Sequence, residues 1–206
     1  MKTFGELAFT PTVQALQERN GSRAAYARMR SKAEAGEGLG PREQEYLANA
    51  DSFYMATVGE TGWPYVQHRG GPRGFLRVVS PARIAFADFG GNRQFVSVGN
   101  AARDDRVSLI VMDYPNQRRL KILGRLRFLS LEKADPELLA AVSLPGYRAR
   151  IERVAVIDVE AFDRNCPQHI TQRFALADIE TVAQPLHDRI AQLEAEVATL
   201  RAATRP

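Results

Sequence analysis

The chain has 206 residues, 45% of them hydrophobic, and a formal net charge of +4. That length holds one domain with an appendage, or two very small domains, and can bury a core unaided by disulfides or metal. A lone cysteine excludes an internal disulfide framework, and three histidines lack metal-ligand spacing, so no metal is expected. No apolar run approaches the roughly 18 residues of a membrane helix, and the start lacks a signal peptide's apolar stretch, so the expected compartment is the cytoplasm.

Residues 11–50 read as helical. Thr10-Pro11 is a cap followed by proline at the first helical position. Ser22 can cap a second helix through about Lys32, and Pro41 opens a third. From residue 53 the texture changes to strands. Phe53–Val58 and Trp63–Arg69 flank the turn Gly59–Gly62, and two short strands, Phe75–Val79 and Ile84–Ala87, follow. This is hairpin spacing. Asn92 is a candidate N-cap for a helix to Ala102. Arg106–Tyr114 carries a nearly continuous apolar run and predicts a strand buried on both faces. In Arg118–Phe128, Leu120, Ile122 and Leu126 alternate with Arg119, Lys121 and Arg125, so one face is apolar and the other polar. A short helix over Glu132–Val142 and a strand over Ile151–Val159 complete the series. The tail places Ile179, Ala183, Leu186, Ile190, Leu193, Val197 and Leu200 at alternating steps of four and three. That stripe suits either packing on the chain's own domain or pairing with another chain.

Of the 28 basic residues only Lys2, Lys32, Lys121 and Lys133 are lysines. Between Arg69 and Arg127, eleven arginines and Lys121 meet only four aspartates. This basic middle is a solvated surface, or an anion site for a small phosphate ligand or nucleic acid. Three clusters lie within it. Tyr65-Val66-Gln67-His68-Arg69 ends a strand and runs into Gly70-Gly71. Phe86-Ala87-Asp88-Phe89-Gly90-Gly91-Asn92-Arg93-Gln94 runs from a strand through a double glycine into the predicted helix, where free backbone donors and Arg93 could hold a phosphate. Arg119, Lys121 and Arg125 share one strand face.

The order and spacing of these clusters resemble the pyridoxamine 5'-phosphate oxidase-like family of FMN-binding split barrels. The resemblance runs from Phe53–Val58 through Trp63-Pro64, Gln67-His68-Arg69, Phe86–Phe89, Asn92-Arg93-Gln94 and Asp104–Leu109 to Leu120–Gly124. It implies an antiparallel split β-barrel, mainly β with flanking helices, preceded by a helical N-terminus and followed by the heptad helix. The expected divisions are a helical lead-in at 1–50, the barrel at 51–162, a cofactor- or substrate-side segment at 163–177 and the helix at 178–206. It further implies an FMN-dependent oxidoreductase with hydride transfer at flavin N5, working as a homodimer with FMN at the interface. Gln67, His68 and Arg69 would contact the flavin and its ribityl phosphate. Ala87 and Asp88 would line the isoalloxazine. Asn92 and Arg93 match a serine–arginine pair that grips the phosphate, with Gln94 where a lysine is common. Arg119 and Lys121 fall on a strand that reaches across the dimer. His68 is the catalytic candidate.

The segment Asn165–Phe174 resembles the C-terminal element of one uncharacterised branch of the family, and within it His169 and Arg173 are candidates on the substrate side. Pro185-Leu186-His187-Asp188-Arg189 departs from the true oxidase's arginine–leucine–histidine–aspartate–arginine motif at its first position, so pyridoxine chemistry is not expected. The alternatives are a flavin-, deazaflavin- or haem-binding protein of the same fold without turnover, or a basic nucleic-acid-binding module.

Overall fold

The structure is a computed structural model that describes residues 1–32, 38–164 and 168–203. Contacts divide the chain into two compact units, Met1–Asp113 with Arg118–Pro167, and Tyr114–Gln117 with Gln168–Pro206.

The first unit opens with helices α1 (Phe4–Ala8), α2 (Pro11–Arg19), α3 (Arg23–Lys32) and α4 (Pro41–Ala48). Thr10 caps α2 by accepting from the Val13 amide at 3.4 Å, with Pro11 at the first helical position as its signature predicts. The buried Glu43 of α4 reaches back to the Gly40 amide and pairs with Arg164. α1, inside the expected helical lead-in, carries too few residues to show a periodicity of its own.

Seven antiparallel strands follow: β1 (Ser52–Val58), β2 (Pro64–Gly70), β3 (Arg77–Ser80), β4 (Arg83–Phe89), β5 (Arg106–Asp113), β6 (Arg118–Ser130) and β7 (Ile151–Arg164). Their order in the sheet is β2-β1-β5-β6-β7-β4-β3. Among the described residues no ladder joins β2 to β3, so the sheet is not closed. This is the split barrel with flanking helices that the sequence implies. Its core lies on one sheet face, where Phe53, Met55, Phe86, Leu109, Ile122, Leu126 and Ile157 are fully buried. Phe53 of β1 meets Phe86 of β4 edge-on at 5.3 Å, so the curled sheet brings its two ends together over that core.

A second cluster on the other side of β4 and β7 joins Ala85, Ala87, Val154 and Val156 to Ala134 and to Val142 of α6 (Pro136–Val142). That helix starts later than predicted, because Asp135 caps it and Pro136 takes its first position.

Two further expectations are corrected. β5 is not buried on both faces: Val107, Leu109 and Val111 enter the core, while Ser108 is exposed and Ile110 and Met112 are only partly covered. The helix predicted from Asn92 begins at Val96, as α5 (Val96–Arg103). Its N-cap is Phe95 in the left-handed region, and Asn92 instead accepts from the Gln94 amide at 3.2 Å in a local turn. Asn100 of α5 donates to the Thr57 hydroxyl at 3.0 Å and anchors the helix on β1.

In the second unit, Gln117 and Gln172 donate to the carbonyls of Ile170 and Pro115 at 2.7 and 2.8 Å. Residues 170–175 are not helical, and α7 (Leu176–Ala203) follows. No described helix is long and apolar enough to cross a membrane.

Candidate functional site

Strand alternation sorts the first cluster. Across β2 and β1 the register pairs Tyr65 with Thr57, Gln67 with Met55 and Arg69 with Phe53. Thr57, Met55 and Phe53 are core residues, so Tyr65, Gln67 and Arg69 point to the core face. His68 pairs with Tyr54 and takes the opposite face, where it is exposed and meets the Tyr54 ring edge-on at 5.6 Å.

The inward side chains of β2 reach β4 across the open side of the sheet. Arg69 Nη1 donates to Asp88 Oδ1 at 2.5 Å. Arg153 of β7, opposite Asp88 in the ladder, donates from Nε to Asp88 Oδ2 at 2.8 Å and pairs through Nη2 with Glu152 at 3.1 Å. The Asp88 side chain is only 3% exposed, and those of Arg69 and Arg153 are 14% and 23%. A buried carboxylate is therefore held between two guanidiniums, and one pair spans the split. A buried charge this well paired is tolerable; left alone it would be costly.

Beside this clamp lies a cleft of about 190 Å³. Gln67, Arg69, Asp88, Asn92, Arg93 and Gln94 line it, and Tyr65, Phe95, Ser97, Glu152 and Arg153 complete its wall. Ser97 is buried and donates to Gln67 Oε1 at 2.7 Å, which leaves the Gln67 amide nitrogen as the end free to donate elsewhere. Arg93 and Phe95 have φ of 58° and 55°, two left-handed non-glycine residues with only Gln94 between them. Such backbone persists only where its surroundings enforce it, and it gathers at binding sites. The Arg153 guanidinium sits 5.0 Å from the Phe95 ring centroid and that of Arg93 5.9 Å from it. Arg93 is exposed and makes no ion pair with another described residue. The cleft thus offers a guanidinium and an amide donor beside a rigid floor.

The family model for pyridoxamine 5'-phosphate oxidase matches residues 39–163. The chain belongs to the pyridoxamine 5'-phosphate oxidase family. The matched span contains the sheet apart from Arg164, the last residue of β7, and every residue of the cleft. Among solved structures, the chain is similar to HupZ from Group A Streptococcus, with 13% identity, 66% of this chain and 98% of that one covered, and a TM-score of 0.49. It is also similar to an FMN-binding protein from Syntrophomonas wolfei, with 11% identity, 72% and 97% covered, and a TM-score of 0.46. A third is a Clostridium acetobutylicum protein related to general stress protein 26, of the pyridoxinephosphate oxidase family, with 13% identity, 67% and 94% covered, and a TM-score of 0.43. No curated protein matches the chain.

Within this member of the pyridoxamine 5'-phosphate oxidase family, the structure separates the expected site residues. Gln67, Arg69, Asp88, Asn92, Arg93 and Gln94 come together in the cleft. Ala87 does not join them; alternation turns it from Asp88 into the second cluster with Val154 and Val156. His68 lies on the outer face, with Lys121 on the same row through Tyr54 and Ile110. Lys121 pairs with Asp163 at 2.9 Å and lies 4.8 Å from the Phe4 ring. Arg119, two residues earlier, shares its face. His169 and Arg173 belong to the second unit; His169 has φ of 65° and the Arg173 guanidinium lies 5.1 Å from the Tyr114 ring. Asn165, Cys166 and Pro167 fall outside the described residues. Among the described residues no three His, Cys, Asp or Glu side chains converge on a metal position.

Sequence reasoning missed Arg153, Glu152, Ser97 and Phe95. Arg153 and Glu152 arrive through the β4–β7 ladder, 65 positions from Asp88, and no local pattern marks them. Tyr65, which opens the first sequence cluster, shares the period-2 face of Gln67 and Arg69 and joins them in the cleft wall.

Proposed function

We propose that this protein is an FMN-dependent oxidoreductase acting on a small organic substrate, with the cofactor's phosphate end held in the cleft. The observation that carries the reading is Arg93. It is a cation without an ionic partner among the described residues, presented by a left-handed loop at the cleft. A phosphate is the natural counter-ion for such a guanidinium.

The residues present fit that group. The Gln67 amide nitrogen is free to donate, and Arg69 Nε is buried without a hydrogen-bond partner among the described residues. Arg93, Asn92 and Gln94 would hold the phosphate, and Gln67 the adjoining polar chain. Arg69 already gives Nη1 to Asp88, so its part is to fix the floor and add positive potential more than to grip the ligand. When bound, FMN supplies a hydride acceptor at ring N5. The chain's own contribution is to bind, orient and keep water from that ring. Asp88 and Glu152 are both engaged by Arg153, so neither is free to act as a base in the cleft.

The reading includes a homodimer. The outer face of β2 and β1 exposes Tyr54 and Val66, apolar surface suited to a second copy. His68, Arg119 and Lys121 lie on that side and would meet the second copy's cofactor. The nucleic-acid alternative is weakened by pairing: Arg83, Arg106, Arg118, Arg125 and Arg127 of the basic middle each meet a carboxylate. The test is to purify the protein, identify any copurifying ligand by mass, and titrate ligand-free protein with FMN. Flavin absorbance and saturable binding are expected, with reduction by a hydride donor. Protein that takes up no FMN refutes the reading; bound FMN that no donor reduces favours a binding protein without turnover.

A further inference from the structure

We infer that α7 pairs with α7 of a second copy of this chain, as a parallel two-stranded coiled coil running from Leu186 to Ala203.

The helix has no buried residue. Leu186, Ile190, Leu193, Val197 and Leu200 are each 41–65% exposed, on a helix whose other positions are mostly alanine or polar. A narrow apolar seam of this kind is stable in water only when another helix covers it. The spacing fixes the register. Ile190 and Val197 take heptad position a, and Leu186, Leu193 and Leu200 take position d. β-Branched residues at a with leucine at d favour two parallel strands. Pro185 falls at position c and lacks the amide an uninterrupted helix needs. Upstream of it the a position is only Ala183, so the five layers from Leu186 to Leu200 form the seam.

Charge at the flanks selects the same occupant. In a parallel pair, each g residue faces the e residue of the next heptad on the other helix. Arg189 then faces Glu194 of the second copy, and Glu196 faces Arg201 of the second copy. Both contacts are of opposite sign, and the two-fold axis repeats them. An antiparallel pair would set Ile190 against Leu193 and Leu186 against Val197, and would leave Leu200 opposite the small Ala183 beyond the proline. The parallel pair matches all five layers in size. At about 1.5 Å per residue the seam is short for a free-standing coil, so the full chain is the right material for a test.

The test is disulfide trapping in full-length protein carrying Cys166→Ser, with mild oxidation read on a non-reducing gel. Leu200→Cys, at a seam position, is expected to give a covalent dimer in high yield. Thr199→Cys and Ala202→Cys, on the outer face one and two residues away, are expected to give little. Arg189→Glu should lower the Leu200→Cys yield severalfold, and adding Glu194→Arg should restore it. Equal trapping at 200 and 202, no trapping at 200, or indifference to Arg189→Glu would overturn the proposal. So would a mixed covalent dimer between differently tagged Leu186→Cys and Val197→Cys chains, which only an antiparallel pair brings together. None of these readouts depends on FMN.

Discussion

Asp88→Asn is the substitution that tests the architecture of the cleft most directly. Asp88 accepts from Arg69 at 2.5 Å on one oxygen and from Arg153 at 2.8 Å on the other. Asparagine keeps the shape but loses the charge. Its amide keeps one acceptor and turns two N–H donors toward a guanidinium that also only donates. Breaking a buried ion pair on one side costs about 3–5 kcal/mol. Here the two arginine side chains are 14% and 23% exposed and regain part of their hydration, so the expected loss is about 2–4 kcal/mol. At this chain length that is a fall of roughly 5–15 °C in Tm. The assay is urea denaturation of ligand-free protein beside a thermal melt, with Asp88→Asn, Arg69→Met and the double variant. The two changes should couple by more than about 1 kcal/mol, because both remove one interaction. A loss below about 0.5 kcal/mol, the ordinary range of surface changes, would refute the claim that this pair ties the two ends of the sheet.

Arg93→Ala should leave stability almost unchanged and weaken FMN binding by roughly 1.5–3 kcal/mol, about 10- to 150-fold in Kd by fluorescence titration. Gly124→Ala places a Cβ 2.5 Å from the Asp158 carbonyl oxygen and 2.8 Å from Ile157 Cγ2 at the β6–β7 irregularity, and a melt should show a loss of about 1–3 kcal/mol. Burial raises the Asp158 carboxyl pKa, but hydrogen bonds from Arg83 and Arg127 outweigh it and set the net value below normal. Its contribution to stability is therefore present above about pH 4 and lost as pH falls through the lower folded value, so Asp158→Asn should flatten the acid limb of a stability–pH curve. Tyr46 donates to the Val111 carbonyl at 3.0 Å, and burial first, then Asp113, push its pKa up. Its contribution is present below about pH 10 and lost as pH rises toward the raised folded value, so Tyr46→Phe should cost about 0.5–1.5 kcal/mol at neutral pH and flatten the alkaline limb.

What could be read in the sequence was what depends on neighbours within a few positions. Thr10-Pro11, the turn at Gly59–Gly62, the alternation along β6 and the four–three steps of α7 each carry their cause locally, and each became the element it signals. The Asn92 cap failed because the backbone turns left-handed at Arg93 and Phe95, so the Asn92 side chain closes a local turn on the Gln94 amide and the helix starts only at Val96. The left-handed loop at Arg93 and Phe95 had no glycine to announce it, since Gly90 and Gly91 stand just before the strained positions.

The arginine surplus shows the same boundary from the side of charge. Counted along the chain, Arg69 to Arg127 is strongly basic, and that count alone leaves open a solvated surface, a small phosphate ligand or nucleic acid. In the folded ladder the acids come from elsewhere: Asp158 serves Arg83 and Arg127, and Glu160 serves Arg125. These exposed pairs stabilise little, but they spend the surplus before any ligand arrives. A cation is informative about binding only once its partners in space are known. By that standard Arg69, whose Nη1 is taken by Asp88, is expected to act in the scaffold of the proposed site, and Arg93 is the better probe of the proposed binding. A variant series should therefore separate the two, with Asp88 and Arg69 moving stability and Arg93 moving affinity; affinity loss confined to Arg69 would reverse those roles.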